Sequence, residues 1–191
     1  MQTHTIARLL LATSLVIEGG SALHRFRRRR LAFEAAVRRA SELGRPLIVV
    51  GDPDAGAHTR LLRAYDCGDL CIDLRGCPKC PVVKIADITN GPIEGIADDS
   101  AVVFVSCVLE YVTDPAAALQ ELARIAGSRA NLFLVLVEPW TLTATLYPGA
   151  RWSGFANDRI IAMQPVTPAL KAATLGGLVA LSVLAARGRR A

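Results

Sequence analysis

The residues best suited to chemistry in this 191-residue chain lie between positions 51 and 110. Four of the five cysteines are bunched at Cys67, Cys71, Cys77 and Cys80. Four thiolates are a zinc donor set, but a regular site pairs two compact knuckles. Cys77-Pro78-Lys79-Cys80 is such a knuckle. Cys67 and Cys71 form a looser pair, and Cys71 sits inside the apolar run Asp69–Leu74, where its side chain belongs in a core. The expectation is four reduced cysteines and no metal. Gly51-Asp52-Pro53-Asp54-Ala55-Gly56 is a turn that follows an apolar run, and Asp73, Asp87 and Ser106 lie in or at the end of further short runs. His58, beside the glycine turn, is expected on a helix surface rather than as a base.

Charge is distributed unevenly around this central stretch. Residues 1–45 hold nine Arg against three Glu, and residues 171–191 hold one Lys and three Arg with no acid. Residues 46–170 hold nine Lys and Arg against fourteen Asp and Glu, so the middle is acidic although the whole chain carries +5. A nucleic-acid enzyme carries its basic face on the folded domain, and the Arg25–Arg30 cluster holds one aromatic residue, Phe26, rather than the repeated aromatic interleaving that stacks bases. Nucleic acid is therefore not an expected partner. Basic ends beside apolar runs point to anionic lipid.

The elements that position these residues follow from pattern. Ile6–Leu23 is apolar, interrupted by Arg8 and Glu18, and runs straight into His24-Arg25-Phe26-Arg27-Arg28-Arg29-Arg30. An apolar segment followed by a basic cluster is a membrane-anchor pattern, and the positive-inside rule places the cluster in the cytoplasm. Leu31–Leu43 repeats apolar residues at three- and four-residue steps, an amphipathic helix that Gly44 and Pro46 end. Short apolar runs at Leu47–Val50, Asp69–Leu74, Val82–Ile88, Ala101–Val108 and Leu132–Val137 are expected strands. Helices are expected over Ala57–Ala64 and from Asp114-Pro115 to Ile125, the latter with Asp114 as N-cap and Pro115 at the first helical position. Arg159–Met163 is a candidate last strand. Strands alternating with helices predict an α/β fold with a doubly wound, mostly parallel sheet. Ala172–Ala186 is apolar all round but short for a span, which favours an interfacial or partner-packed helix ahead of the basic tail Arg187–Arg190. Three regions are thus expected: an anchor with its basic cluster over 1–30, an α/β domain over 31–165, and an apolar helix with basic tail over 166–191.

The order of these pieces resembles the class I S-adenosylmethionine methyltransferases, notably the small type 11 members. The resemblance covers about residues 46–140 and is most specific from Asp98 through Cys107-Val108-Leu109-Glu110-Tyr111-Val112-Thr113-Asp114-Pro115 to Ile125. It implies a Rossmann-like methyltransferase fold, truncated, with apolar helical ends, and a ligand site at the carboxyl ends of the strands. It further implies that the turn from Gly51 through Asp52 to Gly56 passes under the methionine part of the cofactor, that Asp73 bonds the ribose hydroxyls and that Asp87 lies near adenine. Ser106, Leu109 and Glu110 would stand where the fourth strand meets the pocket. The chain departs from the family's first motif. Val49 stands where an acid is usual, and Pro53 and Ala55 stand in a turn that should hold three close glycines. Pro removes a backbone donor, and glycine is what permits close approach to the ligand.

Two functions follow as expectations. One is a non-catalytic accessory subunit, without cofactor or catalytic residues, that docks membrane protein subunits at the cytoplasmic side of a membrane. The other is an active, membrane-tethered methyltransferase using S-adenosylmethionine.

Overall fold

The structure is a computed structural model describing residues 2–54, 63–136, 151–156, 159–165 and 176–183. Its first element is one unbroken helix, α1 (Gln2–Leu43). The apolar stretch, the arginine cluster and the amphipathic segment are therefore a single rod, and the boundary expected at 30/31 falls inside it. From residue 5 onward it is long and apolar enough to cross a membrane, by length and composition. Ile6, Leu9, Leu10, Leu15, Val16, Ile17 and Leu23 are all exposed.

Five parallel strands follow: β1 (Leu47–Val50), β2 (Leu70–Asp73), β3 (Val83–Ile85), β4 (Val102–Ser106) and β5 (Leu132–Val135). They lie in the order β3-β2-β1-β4-β5. The two central strands, β1 and β4, are buried at every position, as their uninterrupted Val, Ile and Leu runs require of strands covered on both faces. Their side chains alternate between two cores. Leu47, Val49, Val102 and Phe104 face Ala36 and Ala40 of α1, with Tyr65 beside them. Ile48, Val50, Val103 and Val105 face Ala118, Leu122 and Ile125 of α2 (Pro115–Ala126). Phe104 is the centre of the first core: its ring stands 5.4 Å from Phe33, edge to face, and 5.0 Å from Tyr65.

Helix α2 begins where its sequence dictates. The Asp114 carboxylate accepts the Ala116 and Ala117 N–H groups at 3.0 Å, Pro115 opens the first turn, and Gly127 closes the helix at φ +67°. Its buried Glu121 is tied from three sides. Arg124 donates to both carboxylate oxygens at 2.6 and 2.8 Å, and the buried Ile93 N–H donates at 2.9 Å. Arg124 also reaches Asp98 and the Ile96 carbonyl, which pins the segment ahead of β4 to the helix.

The Arg124 hydrogen bonds hold the Glu121 carboxyl below the usual range, and Arg45 does the same for Asp99. A carboxylate depressed in the folded state contributes stability above its unfolded pKa and loses it as pH falls through the folded value. The melting temperature should therefore fall as pH drops below about 4.3, the unfolded Glu value. Glu121→Gln should flatten that fall in a melting series against pH. An unchanged slope would show that Glu121 is not a source of the acid sensitivity.

Beyond β5 the chain forms an antiparallel hairpin, β6 (Arg151–Ala156) with β7 (Arg159–Pro165). The expected strand at Arg159–Met163 is present. Its partner was not expected, and the pair makes its own two-stranded sheet instead of extending the parallel one. Residues 176–183 are helical, within the apolar stretch expected to be so, and the basic tail lies outside the described residues.

Candidate functional site

Open parallel sheets gather ligands where the strand order reverses, at the carboxyl ends of the strands on either side. Here that point lies between β1 and β4. Gly51 leaves β1 at φ +95°, and its N–H donates to the Ile72 carbonyl at 2.8 Å. A Cβ at this position would meet Val108 Cγ2 at 2.7 Å, so only glycine fits. The Asp52 N–H donates to Asp73 Oδ2 at 3.2 Å and the Arg75 N–H to Asp73 Oδ1 at 2.7 Å. Asp52 in turn accepts the Asp54 N–H at 2.9 Å. Gly51, Asp52 and Asp73 thus come together at one edge, with both Asp73 oxygens already accepting backbone donors.

Ser106 ends β4 beside them, buried, with its hydroxyl donating to Cys107 Sγ at 3.9 Å. Asp87 lies past β3, where its carboxylate accepts the Thr89 N–H at 2.9 Å and the Thr89 hydroxyl at 2.7 Å, which lowers its pKa. Gly56 and His58 lie outside the described residues, as do positions 57–62 of the expected helix; Arg63 and Ala64 are not helical.

Sequence reasoning missed two further residues at this edge, Arg29 and Cys107, beside the Glu110 that the resemblance had placed there. Arg29 and Arg25 of the basic cluster are buried rather than turned to lipid; Arg27, Arg28 and Arg30 are exposed. The cause is helical phase. Arg25 and Arg29 precede Phe33, Ala36 and Ala40 at steps of three and four, so they lie on the face that packs on the sheet. Arg29 Nη2 donates to Cys107 Sγ at 2.8 Å, and Arg29 Nε has no hydrogen-bond partner among the described residues. Cys107 itself takes φ +55°, an uncommon and costly conformation for a residue with a side chain. Glu110, almost wholly buried, adds a carboxyl to the group.

The electrostatics favour a packed cluster over a reactive one. Burial pushes the Cys107 thiol up in spite of Arg29, so it is a neutral thiol and not a thiolate nucleophile at neutral pH. Burial likewise pushes the Tyr65 hydroxyl up to about 12. Burial alone would lower the Arg29 guanidinium, but Cys107, Tyr65 and Glu110 outweigh it. A groove of about 480 Å³ between Phe33 and Val37 of α1 and the residues Asp66–Asp69 lies at the opposite, amino ends of the strands.

The cysteine cluster corrects the expectation of four reduced thiols. The structure joins Cys67 to Cys80 and Cys71 to Cys77 as disulfides, leaving Cys107 free. The physical reason is a reversal of the chain. A turn closed by the Cys80 N–H on the Cys77 carbonyl at 3.0 Å carries the knuckle back over β2. Irregular spacing along the sequence becomes proximity in space. Neither a family model nor a curated protein nor a solved structure matches the chain.

Proposed function

We propose that this chain is a membrane-tethered, methyltransferase-like α/β domain that serves as a non-catalytic docking body for membrane protein subunits. Helix α1 is the tether, and the positive-inside rule puts its basic cluster and the sheet domain on the cytoplasmic side. What supports the methyltransferase-like part is the parallel order β3-β2-β1-β4-β5, together with Gly51 and Asp73 at the carboxyl ends of β1 and β2. A fold alone does not carry its function, and the single observation behind the non-catalytic reading is how that edge is occupied. Arg29, Tyr65, Cys107 and Glu110 fill the carboxyl end of β4 with the protein's own buried side chains. The turn after β1 adds Pro53, without an N–H, and two carboxylates that would face the cofactor's own carboxylate.

Asp73 favours a second reading, an active S-adenosylmethionine methyltransferase, because a carboxylate has lone pairs to spare for ribose hydroxyls after accepting two N–H groups. Titration calorimetry with S-adenosylmethionine and S-adenosylhomocysteine separates the two. The expected result is no heat of binding, with the full chain co-purifying in a fixed ratio with membrane subunits. Low-micromolar binding abolished by Asp73→Ala would make the enzyme the correct reading.

A further inference from the structure

The cysteine cluster brings together more sulfur than a pair of independent cross-links needs. Cys71, Cys77 and Cys80 place their sulfurs within 4.8 Å of one another, and Cys67 is bonded to Cys80. Cys67 joins this group through its bond to Cys80, so the four cysteines come from three parts of the chain: the segment ahead of β2, β2 itself and the loop before β3. In a tetrahedral tetrathiolate site with metal–sulfur bonds of about 2.3 Å, the sulfurs stand about 3.8 Å apart. Opening the two S–S bonds leaves Cys71, Cys77 and Cys80 within reach of that spacing, with Cys67 beside Cys80.

We propose that, once the two disulfides are reduced, Cys67, Cys71, Cys77 and Cys80 bind one divalent cation of the zinc class as thiolates. This inference rests on the cytoplasmic placement proposed above, because a cytosolic thiol pool keeps such cysteines reduced and disfavours disulfides. Starting from the disulfides, cytosolic thiols supply two electrons to each S–S bond and are themselves oxidised to disulfides; the metal-binding step that follows involves no oxidation or reduction. Four thiols each lose a proton to solvent, and four metal–sulfur bonds form in place of the ion's bound waters. The product carries two net negative charges, and cations stand next to it. Arg63 Nη2 lies 3.5 Å from Cys67 Sγ, and Lys79 is part of the knuckle. Hydrogen bonds and positive charge around thiolate ligands stabilise them in the bound form.

The site gives the outer half of the sheet an anchor that packing does not. β3 is the edge strand of the parallel sheet, and its Val83 and Ile85 are exposed among the described residues. A metal tying β2 to the segment just ahead of β3 fixes that edge by coordination.

The test uses the full chain, expressed in bacteria, solubilised from membranes in oxygen-free buffer and analysed for metal. About one zinc per chain is expected, close to zero in the Cys77→Ser/Cys80→Ser double variant. So that unfolding of that variant does not decide the outcome, the wild-type chain is also stripped and reloaded with cobalt(II), whose charge-transfer and tetrahedral ligand-field bands report thiolate ligands directly. Alkylation in denaturant with chelator, without prior reduction, should modify all five cysteines. Four cysteines resistant to alkylation, or free thiols with no metal and no cobalt spectrum, would overturn the proposal. A reporter fused beside the domain checks its side of the membrane separately. A reporter outside the cytoplasm sinks the placement, whereas a cytoplasmic domain without metal sinks only this site.

Discussion

Deletion of residues 1–20 should move the protein from the membrane pellet to the soluble fraction, while the full chain stays in the pellet through a high-salt wash. The expectation follows from magnitudes. Seven large apolar side chains between Ile6 and Leu23 are exposed on α1, between 50% and 74% of their surface. Burying a side chain of this size is worth about 1.5–3 kcal/mol, and part of that gain remains to be made at each, so the segment gains on the order of ten kcal/mol by leaving water. Arg8 and Glu18 oppose this. A charged residue costs about 2.5–3.5 kcal/mol at the centre of an inserted helix and less toward its ends. The apolar term wins, and because it is not electrostatic, salt does not release it. Release by salt alone, or a truncated chain that still pellets, would show that α1 is not a hydrophobic anchor. The cut at residue 20 spares Arg25, Arg29 and Phe33, so the truncated chain keeps the part of α1 that packs on the sheet.

Phe104→Ala should cost about 3–5 kcal/mol of stability, the range for removing a buried aromatic ring. Phe104 is fully buried in a central strand, between two other rings, and faces α1. Phe33 and Tyr65 cannot both follow it inward: Phe33 is fixed on α1, and Tyr65 is itself packed in the same buried core. The cavity therefore persists, and its cost adds to the lost transfer energy. Phe104→Leu should cost much less. Limited proteolysis of the detergent-solubilised chain against temperature reads both variants. A loss below about 1 kcal/mol for the alanine variant would mean that the α1 face of the sheet is not a packed core.

The five parallel strands were legible because buried parallel strands are written as short Val, Ile and Leu runs, and all five appeared within a few residues of their expected limits. α2 was legible at its ends, where Asp114, Pro115 and Gly127 each have one structural use. The continuity of α1 was not. Gly19, Gly20 and the arginine run look like interruptions, yet nothing in them forbids a helix, and each glycine costs only about 1 kcal/mol. β6 was missed because its residues form no apolar run. At the site, Gly51, Asp52, Asp73 and Ser106 were expected at one edge through the resemblance, which puts the site at the carboxyl ends of the strands. Arg29 was hidden, since consecutive arginines occupy every helical phase and only the stripe set by Phe33, Ala36 and Ala40 reveals which of them turn inward. The cysteine pairing was equally hidden, because four cysteines allow three connectivities and spacing does not choose among them.

The unbroken α1 also has a mechanical meaning. At about 1.5 Å per residue its 42 residues make a rod about 63 Å long, and its inner stretch is keyed into the sheet through Phe33, Ala36 and Ala40. No swivel separates the two ends. With the outer stretch held in a bilayer, the height and heading of the domain are set by the rod, as a flag is set by its pole. One residue inserted after Leu23 would raise the domain by about 1.5 Å and turn it by about 100°. Any partner that grips the rod within the membrane would by the same geometry aim the sheet, and torque on one would be felt by the other.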